Sequence, residues 1–225
     1  FSKLINEENE YKPYSIYYYA HISYQKGLYN TAKNYLYQLR NNKQFKGLIP
    51  YYIAQIYFYQ ENYQKIIDSI LPILDNVVPK REVELNRLIA ESYYQLSDFT
   101  NAFQYFSIYL DLLKKEESEK EIKIITPIDH FQMGQISIFV EDYQRAIFYL
   151  EKVNNISDSL SQYADYYLGV AYLKTNQKPF ALEAFKKSSK YTFDAELQEE
   201  AIFNYAKLAY ELDLPYNNFV EFSNY

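Results

Sequence analysis

The chain has 225 residues, 48% of them hydrophobic, with a net charge of −6 and no cysteine. That length suits one domain or one array of stacked units, and the apolar fraction excludes a disordered chain. The acidic balance argues against nucleic acid as a partner, and the missing cysteines exclude disulfides, thiolate metal sites and a cysteine nucleophile.

Only 4 Gly and 7 Pro are present, too few turn-formers for an all-β fold. The 29 Tyr and 15 Phe stand beside no Trp. Either AT-rich codon usage or selection of the amphipathic tyrosine ring for binding accounts for them. The longest uncharged stretch, Gly47 to Gln60, is too short and too polar for a transmembrane segment.

Taken in chain order, residues 1–12 read as the remnant of a preceding helix, carried by Phe1, Leu4 and Ile5. A chain that begins with Phe1 rather than Met is expected to be a processed product or an excised fragment. Pro13 then opens a first helix, where its missing N–H does no harm. Residues 13–46 carry Tyr19-Ala20, then Ala32 and Leu36. Residues 47–80 repeat the arrangement with Ile53-Ala54, Ile66 and Ile70, and Pro72 is expected to end or kink the second helix. Residues 81–125 carry Ile89-Ala90, Ala102 and Phe106. They include an extended charged segment, Lys114 to Glu121, that reads as a solvated helix extension or as a docking surface for a charged partner. Residues 126–160 carry Met133-Gly134, Ala146 and Leu150, and residues 161–196 carry Leu168-Gly169, Ala181 and Phe185. Residues 197–225 form a truncated last copy with Tyr205-Ala206, Asn218 and Phe222.

The first small residue of each copy is Ala or Gly, and successive copies are 34, 36, 44, 35 and 37 residues apart. Two helices joined by a short turn explain the pattern. Only a small residue lets the helices approach closely where they cross, and large residues at helical spacing fill the gap beyond. The connecting turns fall at Lys26-Gly27-Leu28-Tyr29, Glu61-Asn62-Tyr63, Ser97-Asp98-Phe99, Glu141-Asp142-Tyr143 and Thr175-Asn176-Gln177-Lys178.

Leu168-Gly169-Val170-Ala171-Tyr172, with Ala102 to Phe106 and Ala181 to Phe185, resembles the tetratricopeptide repeat signature, in a divergent bacterial form. The resemblance covers nearly the whole chain, although the family's Trp is absent. It implies an all-α fold, an α/α superhelical solenoid of about six helix-turn-helix hairpins. It also implies a non-catalytic protein- or peptide-binding scaffold, in a bacterial cytoplasm, periplasm or cell envelope. The alternatives are a regulatory or sensor module of a larger signalling protein, and a glycan binder with a tyrosine-rich groove. Terminal hairpins should expose apolar surface, so end-to-end self-association is expected as a risk.

Catalysis and cofactors find no foothold. His21 and His130 lie far apart, no metal-ligand spacing is present, and Gly134 and Gly169 fall at helix crossings rather than in a phosphate loop. His130, at the start of a first helix, reads as a packing or helix-end residue.

In such a stack the first helices line the concave face. Residues three before, one after and four after the small residue point towards it. The first row is Tyr17, Tyr51, Arg87, Phe131, Tyr166 and Phe203. The second is His21, Gln55, Glu91, Gln135, Val170 and Lys207, and the third is Tyr24, Phe58, Tyr94, Ile138, Leu173 and Tyr210. The expected groove residues are Tyr17, His21, Tyr24, Tyr51, Gln55, Phe58, Arg87, Glu91, Tyr94, Phe131, Gln135 and Tyr166. Aromatic rings would give apolar grip while polar residues hydrogen-bond a peptide backbone. Packing of the same rings between neighbouring first helices explains the row equally well. Some tetratricopeptide domains clamp a terminal carboxylate with Lys and Asn. Here the groove cations are only Arg87, Lys174 and Lys207, set among Glu91 and Glu211, which departs from that pattern.

Overall fold

A computed structural model describes Ile5 and residues 9–76, 79–118, 125–153 and 159–214. The described residues are helices joined by short turns, and the chain divides into two compact units, residues 1–121 and 122–225. The expected second helix over Tyr216 to Tyr225, with Asn218 and Phe222, lies outside the described residues. So do Phe1 to Leu4 and the charged segment from Glu119 onward.

The first unit holds α1 (Lys12–Gln25), α2 (Tyr29–Gln38), α3 (Ile49–Tyr59), α4 (Tyr63–Ile70), α5 (Pro79–Gln95) and α6 (Phe99–Ser118). α1 packs on α2, α3 on α4, and α5 on α6. Ala20, Ala54 and Ala90 are each 0% exposed, as are Ala32, Ile66 and Ala102, which stand at the facing positions of the second helices. Leu36, Ile70 and Phe106 fill the space one turn further on and are equally buried. α4 stops at Ile70, and Leu71–Asn76 continues as a 3₁₀ segment through Pro72. Proline has no N–H for the helical ladder and its ring crowds the carbonyl four residues back, so the α-helix cannot run on. α6 is the longest second helix because its charged end remains helical to Ser118, with Lys114 and Asp111 paired at 3.5 Å in solvent.

The second unit holds α7 (Pro127–Phe139), α8 (Tyr143–Leu150), a 3₁₀ turn (Glu151–Val153), α9 (Ser159–Lys174), α10 (Lys178–Ser188) and α11 (Ala195–Glu211). Thr126 begins α7 with a capping box. Its Oγ1 accepts from the Asp129 N–H, and the Thr126 N–H donates to Asp129 Oδ2 at 2.9 Å. The helix crossings are tighter than in the first unit. A Cβ on Gly134 would lie 2.5 Å from Leu150 Cγ, and one on Gly169 would lie 2.7 Å from Phe185 Cε1 and Cζ. The loop from α10 to α11 is fixed by Gln162, which is fully buried in α9. Its amide donates to the Asp194 carbonyl at 2.7 Å, accepts from the Asp194 N–H at 2.9 Å, and thereby satisfies both of its polar ends.

Among the described residues, every first helix of the repeat ends in the same backbone device. Gly27, Glu61, Ser97, Glu141, Asn176 and Asp213 all have positive φ, between 50° and 72°, seven residues after the small residue of their first helix. At each turn the next residue's N–H reaches back five residues, as Asn62 does to Tyr57 and Asp142 to Ser137. This is the Schellman closure, which satisfies carbonyls that a helix end leaves open. Glycine occupies the left-handed position once; the other five residues carry the steric cost of a Cβ there. Glu61 and Glu141 are exposed. Glu141→Gly and Glu61→Gly should therefore each raise stability by about 0.5–1 kcal/mol, whereas Gly27→Ala should lower it by about 1 kcal/mol. Thermal unfolding followed by circular dichroism reads both signs.

Candidate functional site

The first unit aligns three first helices, and nine of the expected groove residues stand on them in three rows. Tyr17, Tyr51 and Arg87 form the first, His21, Gln55 and Glu91 the second, Tyr24, Phe58 and Tyr94 the third, and all nine are partly exposed. The other three, Phe131, Gln135 and Tyr166, stand on α7 and α9 of the second unit; Phe131 is 9% exposed. The nine residues of the first unit are therefore described by themselves, as one candidate face.

A fourth row, two residues before the small position, interleaves with these and escaped the sequence reading. Tyr52, 8% exposed, projects from α3 between three side chains of α1. Its ring meets those of Tyr17, His21 and Tyr24 at centroid distances of 6.0, 5.7 and 5.8 Å, and its hydroxyl lies 3.0 Å from that of Tyr17. Tyr167 on α9 plays the same part in the second unit. It meets Phe131 at 6.1 Å and accepts from Gln135 Nε2 at 3.1 Å. Reading the row Tyr18, Tyr52, Leu88, Gln132, Tyr167, Asn204 beside the other three would have found it. Tyr17 also stacks on Phe45 at 4.8 Å, and the Arg81 guanidinium sits 4.2 Å over the Tyr51 ring. The groove aromatics thus pack between neighbouring first helices while keeping an edge in solvent.

The polar row is ordered by these rings. Tyr24 donates its hydroxyl to Gln55 Oε1 at 3.2 Å. That bond fixes which end of the partly exposed amide meets Tyr24 and leaves its two N–H donors unused by it. His21 Nδ1 is buried with no hydrogen-bond partner. Arg87 pairs with Glu91 at 3.1 Å, four residues along the helix, and its side chain stays 42% exposed. Burial pushes the hydroxyls of Tyr17, Tyr24 and Tyr166 above the usual tyrosine range, so each remains a protonated donor. A separate cleft of about 220 Å³, lined in part by Tyr37, Arg40, Pro50 and Ile73, lies against the second helices and away from this face.

No family model matches the sequence, and no curated protein matches it. Solved structures do match. A putative kinesin light chain of Podosopora anserina, with nearly identical TPR-like repeats, superposes with a TM-score of 0.53 at 15% identity, over 81% of this chain and 95% of that one. The fold is tetratricopeptide-like. The apo form of RapI has a TM-score of 0.55 at 15% identity, over 94% of this chain and 75% of RapI. Yeast Tom70 has a TM-score of 0.52 at 16% identity and matches 88% of this chain, which spans only 40% of Tom70. Among the described residues, the pattern of small residues read in the sequence falls at helix crossings in the five hairpins from Ala20 to Gly169.

Two polar side chains of the tetratricopeptide hairpins stand apart from the rows. His130, in the first turn of α7, has a buried Nδ1 without a partner, and burial, then Lys152, pushes its pKa down. Asp165 in α9 is 3% exposed. Burial raises its carboxyl from 3.8 to about 6, with Lys187 opposing and Glu183 adding to the shift. The folded chain holds this proton more tightly than the unfolded chain does, so the contribution to stability falls as pH rises from about 4 to about 6 and stays low above. Asp165→Asn should thus stabilise the protein by about 1–2 kcal/mol at pH 8 and have little effect at pH 4. Urea unfolding at the two pH values measures the difference.

Proposed function

We propose that the first-helix face of residues 12–118 binds an extended segment of another protein and performs no chemistry. The observation that carries this reading is the Tyr24–Gln55 hydrogen bond. It presents two unused amide donors from the middle of a half-exposed aromatic surface. An extended peptide offers carbonyl acceptors at its backbone and apolar side chains on either side, and an amide flanked by ring edges meets both needs. Tyr17, Tyr51, Phe58 and Tyr94 supply the apolar contact. Arg87 adds a guanidinium whose exposed part favours an acidic side chain on the ligand. The rings are already held by Tyr52, Phe45 and Arg81, so they lose little freedom on binding.

A peptide display library selected on the chain tests this reading. Selected peptides should bind the native chain in calorimetry and lose about tenfold or more in affinity on Gln55→Glu, which replaces donors by acceptors in the same shape. The melting temperature should not change. Tyr17→Ala, by contrast, should lower stability by about 2 kcal/mol because Phe45 and Tyr52 lose a packed neighbour. Selected peptides that bind Gln55→Glu and the native chain alike would rule out this face.

A further inference from the structure

The cleft against the second helices joins an apolar floor to a cationic rim. Ile49, Pro50 and Ile53 of α3 line one side, and Ile70 at the end of α4 lines the other. Pro72 stops α4 there, and the 3₁₀ segment that follows brings Ile73 to the same cleft. Arg40, just after α2, and Lys46, in the loop that leads to α3, also line it. Both are exposed, and among the described residues neither has an ion pair.

The surroundings favour an anion. Among the described residues, no acidic side chain lines the cleft. The hydroxyl of Tyr37, another lining residue, lies 2.9 Å from that of Tyr57. This single hydrogen bond uses one of the two hydroxyl protons and leaves the other to donate. Lys33 and Lys65 stand over the Tyr57 ring at 5.2 and 5.8 Å, which adds positive charge beside Tyr37. Size narrows the ligand further. An apolar cavity of about 150 Å³ holds benzene. A cleft of about 220 Å³ therefore suits a ring with a short arm rather than a length of polypeptide.

We propose that this cleft binds a small amphipathic acid, with an apolar body the size of a phenylethyl group on the isoleucines and a carboxylate held by Arg40 and Lys46. The planar guanidinium offers paired donors that match a carboxylate, and the ammonium supplies a second charge. The apolar body covers Ile49, Ile53, Ile70 and Ile73, and that contact adds to the ionic one. The site shares no residue with the peptide-binding face and does not depend on it.

Methyl NMR of the chain labelled with carbon-13 at isoleucine tests the proposal, because four isoleucines line the cleft. Hydrocinnamate, a benzene ring on a short carboxylate arm, should bind with a Kd of about 0.1–1 mM. It should shift the methyls of Ile49, Ile53, Ile70 and Ile73 and leave Ile136 and Ile147 of the second unit unmoved. Hydrocinnamamide keeps the ring without the charge, and acetate keeps the charge without the ring. Each should bind at least about tenfold more weakly than the acid. Arg40→Gln/Lys46→Gln should keep the native melting temperature, since both side chains are exposed. It should lose about tenfold in affinity for hydrocinnamate and bind the amide as the native chain does. Four unmoved methyls at about 10 mM hydrocinnamate, an amide that binds as tightly as the acid, or a folded double variant that binds the acid unchanged would overturn the proposal.

Discussion

The fold depends on one contact repeated along the chain: a small residue of a first helix against the second helix, with a large apolar side chain filling the space one turn further on. At Gly134 and Gly169 this contact is closest, because Leu150 and Phe185 occupy the volume a Cβ would need. Helices at this separation exclude water from Ala146 and Ala181, which are 0% exposed. They also bring Met133 and Leu168 under cover. Burying a side chain the size of Phe185 or Leu150 contributes about 1.5–3 kcal/mol, and that gain is available only if the helix axes come together. The Schellman turns serve the same end. They reverse the chain seven residues after each small position, so the second helix starts at the right height for its own small residue to arrive at the crossing.

The aromatic rows follow from this spacing. Hairpins held at regular intervals leave a slot between successive first helices, and Tyr52 and Tyr167 fill it. Their neighbours Tyr17, Tyr24 and Phe131 then complete a ring lattice whose polar edges reach the surface. A tyrosine suits such a place because its body packs while its hydroxyl finds a partner, as between Tyr17 and Tyr52 or from Tyr24 to Gln55. In the proposed reading, packing and recognition draw on the same side chains. The aromatic row and the polar row differ in what each can lose: removing a ring opens the slot, whereas changing Gln55 alters only what is offered to a ligand.

Much of this was legible in the sequence because the small residues recur at fixed intervals and nothing but a close helix crossing requires them there. The turns were placed correctly as well, although Glu61 and Glu141 give no local hint of a left-handed backbone. That conformation is imposed by the hairpin, against the preference of the residue. The row containing Tyr52 was missed since the inward direction was assigned from a single helix, whereas the slot is shared between two. Gln162 was invisible for a similar reason. A lone glutamine among Ser161 and Tyr163 has no periodicity, and its role is set by Asp194, thirty-two residues away.

The crossing contact can be tested with a double-mutant cycle on Gly169 and Phe185. Gly169→Val should cost about 2–3 kcal/mol by forcing the helices apart, and Phe185→Ala about 3–4 kcal/mol by leaving a void. The two together should cost at least about 1 kcal/mol less than their sum, because valine then fills space the ring has left. Chemical unfolding of the four proteins gives the coupling energy directly. Costs that simply add would contradict the account, since the two side chains would then not share the volume on which the fold is built.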